Sequence, residues 1–545
     1  MQTQLDAAYE NERKLADRIW FTQPMGGGVT RDLTWREAMS EARRMAAHLK
    51  SLELAPGSRI SIFSKNCAWW ILSDLAIWMA GHVTVPIYPT LAPDSIRQIL
   101  EHSDCKLIFV GKLDGYRTMA PGIPDGVAKI GLPLSADQDA KQWDDIIAAT
   151  APIAGDPRRE PAELATIVYT SGSTGVPKGV MHSFETMCST RAFLELFGTN
   201  VDDRMISYLP LAHVAERGCL EIPNLFVGFR VYFAESLDTF LVDLQRARPT
   251  LFGSVPRLWL KFQSGVFEKV PPGKLARLLR IPILGRMVRK KILRGLGLDQ
   301  VRLAVCGSAP VPVELLEWYA RLGLDIQELY AMTENMAISH MTRPAERRIG
   351  YVGSPMPGVE QRITGEGEVL VKSPGTMLGY YREEQLTREM IDPDGWIHTG
   401  DRGELDERGR LKITGRVKEL FKTSKGKYVA PAPIESALLA DPLIEQACVT
   451  GAGLAQPLAL IVLSPTARTR DRDTTSAALA RLREAVNRER DQHEHLGLIV
   501  VIGDEWTVDN GLLTPTMKLR RAAIEDRYGG SLATWSGTST PVVWS

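Results

Sequence analysis

Thr170-Ser171-Gly172-Ser173-Thr174-Gly175-Val176-Pro177-Lys178-Gly179 is the stretch whose composition decides the fold. Glycines let backbone amides approach an anion, hydroxyls add donors, and Lys178 brings a positive charge, so the segment reads as a cradle for a phosphate chain. Its flanks place it. Ala165-Thr166-Ile167-Val168-Tyr169 has the pattern of a short buried strand, and Val180 to Leu196 reads as a following helix, which puts the loop where α/β folds bind anions. A P-loop would need Gly-Lys followed by Ser or Thr; here Val176-Pro177 separates Gly175 from Lys178, and Gly179 follows the lysine. The ordinary alternative is a Ser/Gly-rich surface turn.

The rest of the chain is consistent with a multi-domain α/β protein. At 545 residues it is too long for one core and should divide into two or three domains. Lys+Arg and Asp+Glu both total 65, so no global basic excess suggests a nucleic-acid partner. The six cysteines Cys67, Cys105, Cys188, Cys219, Cys306 and Cys448 are widely separated, which argues against a zinc site or a disulfide framework and for a reducing cytoplasm. The first ten residues are polar and acidic, unlike a signal peptide. Ala68 to Val85 is strongly apolar, but Asp74, Gly81 and His82 interrupt it; it reads as a buried helix leading into the strand 83–88.

Strand-like runs such as 59–63, 106–110 and 301–305 alternate with helical stretches to about residue 335. From Gly350 to Leu411 short strands punctuated by glycine and proline predict a small β-rich subdomain. After Arg416 a compact α+β region follows, with a helix over 433–440, strands over 458–463 and 496–502, and a helix over 475–492. The expected architecture is a large N-terminal domain (1–416) of layered α/β subdomains plus that β-rich piece, then a small mobile C-terminal lid (417–528). Residues 529–545 are read as a tail beyond the folded unit, either disordered or a subunit contact.

Four ordered motifs carry a resemblance. The phosphate loop, Tyr330-Ala331-Met332-Thr333-Glu334, Gly395-Trp396-Ile397-His398-Thr399-Gly400-Asp401 and Lys412-Ile413-Thr414-Gly415-Arg416-Val417-Lys418-Glu419 together resemble the adenylate-forming superfamily of acyl-CoA synthetases, adenylation domains and luciferases. Tyr208-Leu209-Pro210-Leu211-Ala212-His213-Val214-Ala215-Glu216-Arg217 and Val429-Ala430-Pro431-Ala432-Pro433-Ile434-Glu435 are most similar to long-chain fatty acyl-CoA synthetases. The resemblance implies two half-reactions. A carboxylate attacks the α-phosphorus of ATP to give acyl-AMP and pyrophosphate, and a thiol, that of coenzyme A, then attacks the anhydride. The alternatives are a fatty acyl-AMP ligase delivering to a separate carrier protein, and a non-catalytic nucleotide-binding homologue.

On this resemblance the 170–179 loop holds the β- and γ-phosphates, Thr333 touches phosphate, and Glu334 with Thr174 ligates Mg²⁺. Small residues at Gly307-Ser308-Ala309-Pro310 let adenine lie against backbone, with Tyr330, Ala331 and Met332 beside it. Tyr330 stacks on the base, Asp401 accepts the ribose hydroxyls, and Arg416 adds a ribose or phosphate contact. Lys518, in Gly511-Leu512-Leu513-Thr514-Pro515-Thr516-Met517-Lys518-Leu519-Arg520, resembles the C-terminal lysine that reaches into the large domain during adenylation. The small domain is implied to rotate at Lys418, bringing Lys425, Gly426 and Lys427 to the thiol tunnel. Ala331 and Lys425 stand where the family pattern has glycine. His213 either borders the acyl pocket, gating it or orienting the carboxylate, or is a neutral core histidine bonded to backbone. The basic run Lys274 to Leu298 reads first as a solvated face and second as a resting place on an anionic membrane. Homodimerisation is compatible with the sequence, which leaves acid length, oligomeric state and pathway open.

Overall fold

The computed structural model describes residues 1–171, 177–514 and 517–545, and the side chain of every one of these except Ser171. An eight-stranded sheet forms the first layer, in the order Gly379–Tyr380, Pro177–Ser183, Leu164–Ser171, Val83–Ile87, Arg59–Phe63, Cys105–Val110, Ala128–Gly131 and Lys141–Gln142. Six of its strands run parallel, as the alternation of strands and helices predicts. The helix Ala68–Met79 is buried on every side, which explains its all-round apolarity without a membrane. Among the described residues no helix is long and apolar enough to cross a bilayer.

The Pro177–Ser183 segment corrects the sequence reading. Instead of starting a helix, it pairs antiparallel with Leu164–Ser171, setting Thr170 opposite Lys178 and Ser171 opposite Pro177. The strands on either side of 172–176 therefore form an antiparallel pair, and no long helix follows; the chain next forms the short helices Phe184–Cys188 and Ala192–Phe197. The strand expected at 301–305 lies two residues on, at Leu303–Gly307.

A second sheet joins Leu251–Ser254, Leu303–Gly307 and Ile326–Tyr330 in parallel, with two short antiparallel additions. A third, four-stranded antiparallel sheet runs from Glu360–Ile363 to Leu411–Arg416 and forms the β-rich subdomain. Together these make the large N-terminal domain.

One buried ion cluster pins the strand that leads into the phosphate loop. Arg217 is fully buried; its Nη1 donates to Thr166 Oγ1 at 2.7 Å and its Nε to Glu221 Oε2 at 2.8 Å, and its Nη2 pairs with Asp74. Asp74 in turn accepts from Thr84. One guanidinium thus ties the 68–79 helix, the strands 83–87 and 164–171, and the 217–221 turn. Burial pushes both the Glu221 and the Asp74 carboxyls above their ordinary values, while the Arg217 charge acts against that rise.

The smaller C-terminal domain is a sheet of Ile444–Thr450, Leu458–Leu463, Leu498–Ile502 and Val542–Trp544, with the helices Pro431–Leu439 and Arg472–Arg488 packed against it. The final strand corrects the expectation of a separate tail. Val542–Trp544 pairs parallel with Leu498–Ile502, Trp544 Nε1 donates to Ser476 Oγ, and the helix Arg521–Ser536 runs through the start of the supposed tail. A cleft of about 400 Å³ separates the domains, with Lys65, Thr90 and Arg257 on one wall and Glu445, Trp506 and Met517 on the other. An Arg257–Glu445 ion pair bridges it at the surface, an exposed contact of little energetic weight.

Candidate active site

The site forms where the strand ends of the second and third sheets meet the hairpin of the first. Leu303–Gly307 and Ile326–Tyr330 lie side by side, with Gly307 opposite Leu329; a Cβ on Gly307 would stand 2.7 Å from the Leu329 carbonyl oxygen, so only glycine permits that approach. The chain then exposes Ser308, Ala309 and Pro310, and Ser308 takes a left-handed φ of 70°. Met336 and Ala337, just past Glu334, and Met517, just before Lys518, share that region at 48°, 62° and 63°. Backbone strain of this kind gathers at ligand sites, where the surrounding fold over-determines it.

Tyr330, Asp401 and Arg416 form one hydrogen-bonded group. The phenol of Tyr330 donates to Asp401 Oδ2 at 2.7 Å, and Arg416 Nε stands 2.9 Å from Asp401 Oδ1. Asp401 and Arg416 face each other across antiparallel strands, so sheet register alone sets their separation. Asp401 is nearly buried and Thr399 Oγ1 accepts from its backbone amide, which fixes the turn. Burial, with the Asp401 charge second, pushes the Tyr330 phenol far up, and the Asp401 carboxylate holds the Arg416 guanidinium above its ordinary value.

Thr333 and Glu334 sit on a short 3₁₀ turn, Thr333–Asn335, opened by an Asn335 Oδ1 bond from the Met332 amide at 3.0 Å. Two residues that sequence reasoning missed hold this turn. Tyr380 donates its phenol to Glu334 Oε1 at 2.7 Å, and His182 Nε2 lies 2.8 Å from the Thr333 carbonyl oxygen. Because that oxygen can only accept, His182 carries its proton on Nε2; burial pulls its pKa down to about 4, so it stays neutral. Lys178 Nζ stands 5.7 Å above the Tyr380 ring, which joins the phosphate hairpin to the glutamate turn. The missing signal was the 177–183 strand: strand pairing at 379–380 places Tyr380 beside Val180.

Close packing keeps the turn in place. A Cβ on Gly375 would run into the Asn335 carbonyl and lie 2.9 Å from Ser189 Oγ. We expect Gly375→Ala to displace the Glu334 turn, costing about 1–3 kcal/mol, read as a lower Tm together with a higher KM for the nucleotide. A lower Tm with unchanged KM would separate the turn from the site.

Lys518 is the candidate from the other domain. Thr514 donates its amide to Lys518 O at 2.8 Å and Lys518 N donates to Thr514 Oγ1 at 3.1 Å, presenting the side chain from a tight corner. The residue is exposed. Desolvation first and the Arg416 charge second pull its ammonium below the ordinary 10.5, and Asp401 and Glu334 act on it in the opposite sense.

His213 Nδ1 accepts from the Ala215 amide at 3.0 Å, and burial, reinforced by the Lys518 charge, takes its pKa down to about 4. It is a neutral histidine bonded to backbone, and it also stands within reach of the Lys518 charge. The rest of its motif is structural: Glu216 Oε1 accepts from Ser207 Oγ at 2.8 Å and from the Tyr208 amide at 3.0 Å, and Asn66 Oδ1 accepts from the Leu211 amide at 3.0 Å.

Gly172, Ser173, Thr174 and Gly175 lie outside the described residues, as does the side chain of Ser171. Lys425, Gly426 and Lys427 occupy an exposed hairpin turn between Phe421–Lys422 and Tyr428–Val429 in the small domain, and no contact places them at the site. Lys418 lies exposed on the 3₁₀ turn Val417–Glu419 that joins the domains.

The chain belongs to the AMP-binding enzyme family: it matches the AMP-binding enzyme description over residues 9–381 and the AMP-binding enzyme C-terminal domain over 419–533. It is 31% identical to long-chain-fatty-acid–CoA ligase FadD15 of Mycobacterium bovis, with 96% of this chain and 95% of that protein covered. To human long-chain-fatty-acid–CoA ligase 1 it is 30% identical over 90% of this chain and 80% of that protein. The fold matches an anthranilate CoA ligase bound to anthranoyl-AMP at a TM-score of 0.80 and 21% identity, covering 97% of this chain and 98% of that one. It also matches a carboxylate reductase adenylation domain from Mycobacterium chelonae at 0.83 and 22%, covering 98% and 91%.

Proposed function

We propose that this enzyme activates a medium- or long-chain fatty acid with ATP, releasing pyrophosphate, and passes the acyl group from acyl-AMP to coenzyme A. The observation that carries the reading is the Tyr330–Asp401–Arg416 group together with the Glu334 turn held by Tyr380. The relatives that cover nearly all of the chain are named as long-chain-fatty-acid–CoA ligases, which supports the choice of acid and acceptor.

Both substrates supply their own nucleophiles, so the protein's task is to position two anions and to offset developing charge. Asp401 would accept from the ribose hydroxyls, Tyr330 would lie against the base, and the 307–310 loop would leave room for it. Glu334 suits a hard cation shared with phosphate oxygens. Tyr380 holds one of its carboxylate oxygens, and the other has no hydrogen-bond partner among the described residues. Mg²⁺ bound there would offset phosphate charge. Lys178 would contact the leaving pyrophosphate, and Lys518 would stabilise charge at the carboxylate and α-phosphate. After that step the small domain would turn at Lys418 and bring Lys425, Gly426 and Lys427 toward the thiol. We place the enzyme in the cytoplasm.

Supplying ATP, Mg²⁺ and a panel of carboxylic acids with and without coenzyme A tests this reading, with products identified by mass. Acyl-CoA from fatty acids is the expected product. Acyl-AMP that accumulates despite coenzyme A would replace this acceptor with a carrier protein, and no pyrophosphate with any acid would overturn the reading.

The pH profile gives a second check. Lys518 acts as the ammonium, and its pKa is lowered, so adenylation should fall at a pH below the 10.5 of an ordinary lysine. The Tyr330 and Tyr380 phenols are pushed upward and do not contribute. Lys518→Arg should retain part of the rate and lose that alkaline limb; an unchanged limb would assign it to another group.

A further inference from the structure

The basic run, which the sequence reads first as a solvated face and second as a resting place on an anionic membrane, forms a helical hairpin, Pro272–Arg280 and Pro282–Gly295. Its inner side is ordinary core: Leu275 is buried, and Leu279, Val288, Ile292 and Leu293 pack on the cluster around Trp259 and Phe252. Its corner is tight, because a Cβ on Gly285 would stand 2.6 Å from the Leu279 carbonyl oxygen. The outer side differs from a solvated face. Ile281, Ile283, Leu284 and Met287 are 48, 79, 39 and 65% exposed at that corner, where a merely soluble surface would carry polar residues.

Eight cations surround them. Lys274, Arg277, Arg280, Arg286, Arg289, Lys290, Lys291 and Arg294 are all exposed, none forms an ion pair among the described residues, and 274–298 contains no acid. In a chain with equal acidic and basic totals this is a local concentration of charge. Helical periodicity orders it: Ile283, Met287, Lys290 and Arg294 fall on one line of the second helix, apolar at the corner and basic behind it.

We propose that this hairpin docks the enzyme on an anionic lipid bilayer, with Ile281, Ile283, Leu284 and Met287 entering the interface and the cations resting on the headgroups. An apolar tip within a basic collar complements such a surface in both respects, whereas a polyanion such as nucleic acid offers no layer for the apolar side chains. A docked enzyme would meet fatty acids where they accumulate, but the docking itself does not depend on the adenylation chemistry.

Co-sedimentation of the full chain with phosphatidylglycerol–phosphatidylcholine vesicles and with phosphatidylcholine vesicles tests it. Binding is expected to the anionic vesicles alone and to weaken as salt rises. Each cation near such a surface contributes about fivefold, so Arg286→Glu/Lys290→Glu should weaken binding at least tenfold. Ile283→Gln/Met287→Gln should also weaken it at least tenfold at unchanged charge, and both proteins should keep the wild-type thermal midpoint. Equal binding to neutral vesicles, or wild-type binding by the correctly folded charge-reversal protein, would overturn the proposal. So would loss of binding on charge reversal alone, with duplex DNA bound as tightly as vesicles, since that describes a general polyanion patch.

Discussion

Lys518→Ala is expected to lower the rate of acyl-AMP formation by about 10²–10³-fold, the usual cost of removing one preorganised group aimed at transition-state charge. Thioester formation from preformed acyl-AMP should change far less, because the proposed second step uses another face of the small domain. The contrast is the informative part. Lys518 itself is exposed and belongs to no hydrophobic cluster, so its loss should leave stability within about 0.5 kcal/mol. Equal loss in both half-reactions would remove it from the adenylation step, and a large fall in Tm would make it a structural residue.

Arg217→Met should produce the largest loss of stability, about 3–5 kcal/mol, because it leaves Asp74 buried with no cation. Thr166 would also lose its donor, loosening the strand that leads to Thr170 and Lys178. A urea titration followed by tryptophan fluorescence would show the midpoint falling. Adding Asp74→Leu should recover much of the loss, since it removes the carboxylate that Arg217 compensates. If the double variant is less stable than Arg217→Met, the cost lies in packing against Trp70 and Trp78, over whose rings Arg217 stands at 5.4 and 5.9 Å.

Local pattern made some of this legible and could not reach the rest. The helix over Ala68–Met79, the strand Leu458–Leu463 and the β-rich subdomain follow from periodicity and turn residues that act within a few positions. The hairpin at Pro177–Ser183 does not. Its identity as a strand depends on pairing with Leu164–Ser171 and with Gly379–Tyr380, the latter some two hundred residues away, while Met181, Phe184 and Glu185 read locally as helix formers. Val542–Trp544 escaped for the same reason, because a three-residue strand after a Ser/Thr/Gly stretch gains its stability only from the sheet it closes.

The site shows the same division. Tyr330, Glu334, Asp401, Arg416 and Lys518 all stand in motifs, and of these Tyr330, Asp401 and Arg416 are joined by hydrogen bonds and an ion pair. Tyr380 and His182 lie in no motif, and they are seen only once the hairpin brings them to the glutamate turn. His213 illustrates the limit in the other direction: a residue inside a motif whose visible bond, to the Ala215 amide, is a local helix cap.

The most direct measurement is ATP–pyrophosphate exchange with a fatty acid present and coenzyme A absent. The account predicts exchange that requires the acid, runs without thiol, and is suppressed about 10²–10³-fold by Lys518→Ala. Exchange that proceeds without acid, or none with any acid in the presence of Mg²⁺, would contradict it.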